Sequence, residues 1–179
     1  MQSHRYFKFL IFTLLLAAVP TTGTAGEPGL YSTGIRLGTS FRGEDTDQGD
    51  FFIARKLPWS WTLSPNWNLD STGELALSVL QSNDEEIMAG SISTDLFMSS
   101  TQHMLFFFTG IGAGLMEDEG VLANIDFGGP VYFLFHAGAG LRLTPWLSLS
   151  YRYAHQSNGS IYSSNPSLNL NMVEMRFHF

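Results

Sequence analysis

The sequence predicts an all-β fold, an eight-stranded antiparallel transmembrane β-barrel. Three observations indicate it: an N-terminal export signal, an even number of segments in which apolar and polar residues alternate, and a last segment that ends on Phe179. Alternation with a period of two is typical of strands with one apolar and one polar face. A membrane barrel turns the apolar face outward to lipid. A barrel of eight strands is filled by its own side chains, so no pore is expected.

The N-terminus predicts a cleaved export signal. Arg5 and Lys8 make a basic start, and the apolar run Phe9–Val19 is followed by small residues. This run is shorter than the roughly 20 residues that a membrane-spanning helix needs. We therefore expect residues 1–25 to be a signal peptide and residues 26–179 to form a single outer-membrane β-barrel domain. A short membrane anchor is the alternative.

Eight segments of the chain alternate in this way, and each predicts a strand. They span residues 31–41, 50–61, 67–80, 88–99, 103–115, 127–143, 146–156 and 168–179. Alternation alone also fits a soluble β-sandwich, which hides its apolar face inside. The export signal, the even number of strands and the C-terminal phenylalanine favour the barrel.

The predicted connections fall into two classes. The links near residues 64–66, 99–102 and 144–145 are short, whereas those at 42–50, 81–88, 116–126 and 156–168 are longer and polar. In bacterial outer-membrane barrels, short turns face the periplasm and long loops face the outside. All four tryptophans flank the short turns, as one half of an interfacial aromatic girdle would. The end of the strand 146–156 is therefore expected at the outer-leaflet interface.

Charge and composition exclude several kinds of chemistry. The net charge is −7, and the acids concentrate in the predicted loops, Asp50 among them, which argues against nucleic acid as a partner. These acids are expected to be solvated; contact with divalent cations that bridge lipopolysaccharide phosphates is the alternative. No loop has the ordered ligand spacing of an EF-hand, so no metal site is expected, and nothing predicts a cofactor. The chain has no cysteine and therefore no thiolate chemistry.

Charged residues on the polar faces of the strands predict ion pairs inside the barrel. They are Arg36, Glu74, Asp95, Arg142, Arg152, Glu174 and Arg176. His136 shares their face and is expected to be structural.

The run Ala154–Ser160, AHQSNGS, holds the candidate chemistry. In its strand the odd positions are apolar or aromatic and therefore face lipid, so His155 and Ser157 continue the outer face that carries Tyr151 and Tyr153. A polar pair on the lipid face is unusual, because most positions there are apolar. This placement predicts chemistry on a lipid.

The wider segment RYAHQSNGSIYSSNPSLN (Arg152–Asn169) resembles the catalytic segment of the PagL-type lipid A 3-O-deacylases of the Gram-negative outer membrane. The resemblance covers most of the chain in strand pattern but is specific only here. It implies an enzyme that removes the ester-linked acyl chain at the 3-position of lipid A, with lipopolysaccharide and outer-membrane lipid as partners. It further implies Ser157 as nucleophile, His155 as general base and Asn158 as an oxyanion donor.

The remaining expectations concern the surroundings of this pair. The backbone N–H of Gly159 is a second candidate oxyanion donor. Tyr151 and Tyr153 are expected to face the acyl chains of the substrate, which can lie along the outer wall without an internal pocket.

Asn169 departs from the family pattern, which has glutamate at this position. In an antiparallel pair, the numbers of opposite residues have a constant sum, which is 324 if His155 lies opposite Asn169. Pro145 then lies opposite Phe179, so the lower ends of the last two strands align and the register is self-consistent. An amide oxygen can accept a hydrogen bond from His155 Nδ1, but it cannot stabilise an imidazolium with a full charge. We therefore expect Asn169 to orient His155 in a slower enzyme; a simple cap at the end of the strand is the alternative.

Three classes of function follow from the sequence. The first is a lipid A 3-O-deacylase that acts as a serine carboxylic ester hydrolase, and the second is a barrel phospholipase or another acyl hydrolase. The third is a non-catalytic structural or adhesive barrel whose loops do the work. Oligomeric state and acyl-chain preference are not predicted by any motif.

Overall fold

The chain forms a closed antiparallel β-barrel of eight strands, as the sequence predicts. The computed structural model describes residues 29–41, 45–117, 120–122 and 125–179, so the predicted signal peptide, residues 1–25, lies outside the described residues. The barrel strands are β1 (Tyr31–Ser40), β2 (Thr46–Ser64), β3 (Trp67–Ser82), β4 (Glu85–Ser100), β5 (Leu105–Met116), β8 (Val131–Thr144), β9 (Leu147–Ser157) and β10 (Ser167–His178). Two short strands, β6 (Val121–Leu122) and β7 (Ile125–Asp126), pair with each other between β5 and β8. No helix in the described part of the chain is long and apolar enough to cross a membrane.

Each barrel strand pairs with its neighbours along the chain, and β10 closes the barrel by pairing antiparallel with β1. In the β9–β10 pair, His155 lies opposite Asn169, which confirms the predicted register. One residue of slippage would turn every side chain of a strand to the other face, so this register decides which groups meet on the outer wall.

The two faces of each strand differ as the alternation predicts. On β9 the even residues Ser148 to Gln156 are buried in the barrel, while Leu149 and Tyr151 are exposed on the outer wall. The outer wall carries large exposed apolar side chains on every barrel strand, for example Leu37, Leu77 and Ile111. A continuous apolar outer surface is what contact with lipid requires.

A charged network fills the middle of the barrel. Glu174 accepts contacts from Arg36 Nε at 3.0 Å, Arg152 Nη2 at 2.9 Å and Arg176 Nε at 2.8 Å. Glu74 also pairs with Arg36 and Arg176. These groups are almost fully buried, which is tolerable only because each charge has partners of opposite sign.

The structure gives different outcomes for three polar residues whose positions were predicted from the sequence. His136 is fully buried and bonds to Asp95 through Nε2 at 2.8 Å, so its structural role fits its surroundings. Arg142 is on the predicted inward face, but it is exposed there, because it lines an open cavity at the end of the barrel that carries the short turns, together with Arg176 and His178. Asp50, predicted in a solvated loop, lies in β2 and pairs in the interior with Arg36 at 3.2 Å, because β2 begins four residues earlier than its alternation indicates.

Toward the end of the barrel that carries the longer connections, which we call the loop end, the interior holds a large apolar cluster beside the hydrogen-bonded pair Gln48 and Gln156. Its apolar cluster comprises Leu80, Ile87, Ala89, Met116, Leu122, Ile125, Phe127, Tyr132, Ala154, Leu168, Leu170 and Met172. β9 and β10 contribute to it from directly behind the outer-wall residues of the motif. This apolar plug was not predicted, because polar residues were expected throughout the interior.

One predicted loop is absent from the loop end. Residues 81–88 were expected to form a long connection, but β3 and β4 extend to a tight turn at Asn83 and Asp84, where Asn83 has a φ of 54°. Asparagine tolerates this left-handed conformation better than most residues. The residues 158–166, which follow Ser157, do form a long connection at this end.

Candidate active site

The candidate site lies on the outer wall of β9 and β10 at the loop end. His155 and Ser157 are both partly buried and alternate with the buried residues Ala154 and Gln156. Two residues along a strand advance about 6.6 Å, so the imidazole and the hydroxyl are neighbours on one face. Both predicted side chains therefore lie on the lipid-facing side of the barrel wall.

His155 is held by the residue opposite it. Its Nδ1 lies 2.9 Å from Asn169 Oδ1, across the β9–β10 pair. Because an amide oxygen only accepts hydrogen bonds, this contact places the imidazole proton on Nδ1. Nε2 is then the unprotonated ring nitrogen and can act as a base.

Asn169 accepts a second hydrogen bond on the same oxygen. Tyr153 Oη donates to Asn169 Oδ1 at 2.7 Å. One step lower, Tyr151 Oη donates to Asn171 Oδ1 at 2.5 Å. Both tyrosines lie on the outer wall, where the sequence puts them, but their hydroxyl groups bond diagonally to β10. Sequence reasoning missed these two bonds, because pairing and parity do not reveal the direction in which a tyrosine leans.

Asn158 has a different position from the one that its expected role needs. Its side chain is fully buried and turned away from the outer wall. Its Nδ2 donates to the carbonyl oxygens of Phe127 and Ser164, and its Oδ1 accepts from Ser160 N at 2.8 Å. Both amide hydrogens are thus used inside the loop. These bonds are those of a side chain that holds the loop together, so we do not assign it to the oxyanion in the mechanism proposed below; its even number, shared with Gln156, is the sequence signal that it faces inward.

Asn165, which the sequence did not single out as functional, completes this loop. Its Oδ1 accepts the backbone N–H of Asn158 at 3.1 Å, and its Nδ2 donates to Ser160 Oγ at 3.0 Å. The hydrogen bonds of the two asparagines therefore hold the chain just after Ser157 in one conformation. No spacing in the sequence marks Asn165 for this task.

Gly159 sits at the turn that follows Ser157. Its φ is +63°, a conformation that L side chains rarely adopt, and a Cβ there would come within 3.0 Å of the Phe133 ring. Phe133 pairs with Ser157 across the β8–β9 ladder. A glycine is therefore needed at this point, and its backbone N–H lies close to the serine along the chain.

An open apolar groove leads away from the pair. It has a volume of about 610 Å³ and is lined by Ile92, Ser93, Thr94, Ile111, Gly112, Phe133, Leu134, Phe135, His155 and Ser157. The ladder continues this direction across the wall: His155 is opposite Phe135, Phe135 opposite Ile111, and Ile111 opposite Thr94. The two polar groups thus stand at one end of an apolar channel.

The apolar plug supports the site from inside the barrel. Ala154, Leu168 and Leu170 are buried directly behind the outer-wall residues of β9 and β10. Close packing of this kind fixes the backbone that carries the polar groups. In the part of the chain that the structure describes, no group of three or more histidine, aspartate or glutamate residues is arranged to hold a metal ion.

Comparison with known proteins gives concordant results. The family model for the lipid A 3-O-deacylase PagL matches residues 48–178. The lipid A deacylase PagL of Bordetella bronchiseptica is 29% identical over 126 residues, which are 68% of this chain and 70% of the relative. The crystal structure of the outer membrane enzyme PagL matches with a TM-score of 0.72 at 15% identity, over 81% of this chain and 97% of that one. The outer membrane protein Ail of Yersinia pestis in a phospholipid nanodisc matches with a TM-score of 0.52 at 12% identity, over 84% and 99% of the two chains.

At 15% and 12% identity, the two structural matches show a shared fold only. The family match extends from β2 to the end of β10 and includes the whole of the segment on which the resemblance rests. The chain therefore belongs to the PagL family of lipid A 3-O-deacylases, hydrolases of the Gram-negative outer membrane.

Proposed function

We propose that this chain hydrolyses the ester-linked acyl chain at the 3-position of lipid A, with Ser157 as nucleophile and His155 as general base, at the outer-leaflet face of the barrel. The observation that carries the proposal is the bond from His155 Nδ1 to Asn169 Oδ1 on the outer wall. It leaves Nε2 as the basic nitrogen of a residue that shares the outer face of β9 with Ser157 and lines the same apolar groove.

The first half of the reaction forms an acyl-enzyme. Ser157 Oγ attacks the ester carbonyl carbon while its proton passes to His155 Nε2. The carbonyl oxygen gains negative charge, and the backbone N–H of Gly159 is the donor that we assign to it. The tetrahedral intermediate collapses as the ester C–O bond breaks, and the proton on Nε2 moves to the released 3-hydroxyl oxygen of the sugar.

The second half releases the fatty acid. A water molecule gives a proton to His155 Nε2 and attacks the acyl-serine carbonyl carbon. Collapse of the second intermediate returns the proton to Ser157 Oγ and frees the carboxylic acid. Asn169 keeps the imidazole oriented throughout both halves, although without the full charge that a carboxylate would supply.

The depth of the site fits an ester of the outer leaflet. The turn end of the barrel carries Trp59, Trp61 and Trp146 on its surface, as the periplasmic interface of an outer-membrane barrel would. Ten residues of tilted strand climb roughly 25 Å, about the height of the apolar band. His155 and Ser157 lie about ten residues above Trp146 on β9 and therefore reach the level where acyl esters meet the sugar headgroup.

The groove gives the acyl chain a path. Three strand spacings of about 4.8 Å separate His155 from Thr94, roughly 14 Å of apolar wall. A chain of about a dozen carbons can lie over Phe135 and Ile111 with its ester at Ser157. Apolar burial of the chain in the groove contributes binding in proportion to its length.

Mass spectrometry of lipid A from Gram-negative cells that express the protein tests the proposal. We expect loss of one ester-linked 3-hydroxyacyl group with the wild-type chain. Neither Ser157→Ala nor His155→Ala should cause this loss, while both variants should still reach the outer membrane as folded barrels. Full deacylation by Ser157→Ala would refute the serine mechanism.

Phospholipid analysis of the same cells addresses the remaining alternative. Release of lysophospholipid with unchanged lipid A would identify a phospholipase instead. The polar pair alone does not discriminate between the two esters, so this measurement belongs in the same experiment.

A further inference from the structure

The amide of Asn169 creates a problem that a carboxylate does not have. A carboxylate presents an acceptor to His155 from either oxygen, whereas an amide presents an acceptor on one side and a donor on the other. With the oxygen toward His155, the imidazole carries its proton on Nδ1 and Nε2 is a base. With the NH₂ group toward His155, Nδ1 must accept and the proton moves to Nε2, which then cannot receive the proton of Ser157.

The structure contains a group that distinguishes these two orientations. Tyr153 Oη lies 2.7 Å from Asn169 Oδ1, the same oxygen that faces His155 Nδ1 at 2.9 Å. Tyr153 and His155 are two residues apart on the outer face of β9, so both reach across to one residue of β10. The amide oxygen is thus held between two donors.

The surroundings of Tyr153 make this bond selective. The O–H of Tyr153, a partly buried residue, has the amide oxygen of Asn169 as its acceptor, and the loss of an acceptor from such a donor is unfavourable. Rotation of the amide by 180° would remove that acceptor and present an NH₂ group instead. The ring of Tyr153 is also in edge contact with Phe41, at 6.4 Å between centroids, and Phe41 N donates to the backbone oxygen of Asn169 at 3.2 Å. These contacts direct the phenol of Tyr153 toward the side chain of Asn169.

We propose that Tyr153 is a positioning residue that fixes the amide orientation of Asn169, and with it the proton of His155 on Nδ1. The inference rests on the proposed roles of Ser157 and His155. It assigns to Tyr153 a function apart from contact with the acyl chains, and it explains how an asparagine serves where the family pattern has an acid.

A double-mutant cycle in the purified protein tests the coupling. Loss of one neutral hydrogen bond shifts an equilibrium by about tenfold, so Tyr153→Phe should lower kcat for lipid A by about three- to tenfold with little change in KM. In an Asn169→Glu background the same Tyr153→Phe change should cost less than about twofold, because a carboxylate has no wrong orientation. Equal losses in the two backgrounds would overturn the inference.

The tautomer of His155 provides a readout that does not require activity. In ¹⁵N-histidine-labelled protein in detergent micelles, we expect His155 to carry its proton on Nδ1 in the wild-type chain. Tyr153→Phe should transfer a measurable fraction to the Nε2–H form, and Asn169→Glu should restore Nδ1–H in that variant. An unchanged tautomer in Tyr153→Phe would overturn the inference even if the rate falls.

Tyr31→Phe is the matched control. Tyr31 is an exposed outer-wall tyrosine at the opposite end of the barrel, in ring contact with Phe179 at 6.3 Å. Removal of its hydroxyl should change neither kcat nor the His155 tautomer. If the wild-type chain failed to deacylate lipid A, the proposed function would fall, while the tautomer measurement would still decide whether Tyr153 orients Asn169.

Discussion

Asn169 is the residue on which the proposed chemistry of the site depends most. It faces lipid with its side chain, and its one acceptor oxygen receives both His155 Nδ1 and Tyr153 Oη. Glu174, the nearest acid along β10, cannot replace it, since this carboxylate points into the barrel and contacts three arginines there. In the proposed mechanism, the imidazolium of His155 is therefore stabilised by an amide dipole rather than by a charge.

Substitution of Asn169 separates orientation from charge. Asn169→Glu should raise kcat by about tenfold, because a carboxylate orients His155 and also stabilises its protonated form. Asn169→Leu should lower kcat by a factor on the order of a hundred, since Nδ1 loses its acceptor. Both rates are measured on purified lipid A at neutral pH. A large loss in Asn169→Glu, or full activity in Asn169→Leu, would contradict the orienting role and favour a simple cap at the end of the strand.

The residues after Ser157 illustrate how far single positions can be predicted. His155, Ser157 and Asn169 lie on one face because the period of two dictates it, and this much is visible in the sequence. Asn158 follows the same rule and faces inward, yet the family resemblance led to an oxyanion role for its side chain. The hydrogen bonds of Asn158 and Asn165 within the loop depend on tertiary geometry that no spacing encodes.

The strands themselves were largely predictable, and the errors have physical causes. Alternation marks a strand only while one face is apolar, so β2 begins at Thr46, four residues before the alternation starts, and carries Asp50 into the interior. β3 and β4 run past the apolar region to a tight turn at Asn83 for the same reason. On β10, the inward face was expected to be polar, but Leu168 and Leu170 lie on this face and are buried in the apolar plug.

The strands β4, β5, β8 and β9 together form the surface that should select the acyl chain. Thr94 marks the far end of the groove, three strands from His155, and its side chain is exposed. Thr94→Trp fills this end and leaves the polar pair untouched. A chain of about a dozen carbons reaches this point, so substrates with longer chains should be affected most.

Two lipid A substrates with 3-linked chains of different length test this expectation. Thr94→Trp should lower kcat/KM by about tenfold for a 14-carbon chain and by less than about twofold for a 10-carbon chain, a difference of the size expected for loss of a few buried methylenes. Ile53→Trp, on the outer wall of β2, a strand that does not line the groove, is the control and should alter neither value. Equal effects of Thr94→Trp on both chains would argue that the acyl chain takes another path.

At the scale of the whole barrel, the interior supports a site that lies entirely outside it. The charged network fills the middle and the apolar plug lies at the loop end, while the turn end holds an open cavity of about 650 Å³ lined by residues such as Phe97, Arg142 and His178. The proposed reaction needs no passage through the barrel, because lipid reaches the outer wall directly. The interior can therefore be optimised for rigidity, which keeps the backbone of β9 and β10 in place.

Substitution of Glu174 tests whether the interior serves the stability of the barrel and not the chemistry of the outer-wall site. It is 1% exposed and contacts Arg36, Arg152 and Arg176, so Glu174→Gln leaves three buried guanidinium groups with one carboxylate fewer. Removing one partner from a buried ion pair typically costs about 3–5 kcal/mol, because the remaining charge is uncompensated. We expect a loss of this size in the free energy of unfolding, measured by urea denaturation in phospholipid vesicles. Asp70→Asn is the matched control: Asp70 pairs with Lys56 at the surface, where the Lys56 side chain is 42% exposed, and its loss should cost less than about 1 kcal/mol.

The folded Glu174→Gln barrel should still deacylate lipid A at a rate close to that of the wild-type chain, because no atom of Glu174 contacts the outer wall site. Equal stability of the two variants would mean that the network contributes little to folding. A selective loss of activity with unchanged stability would mean that the interior charge acts on the site itself.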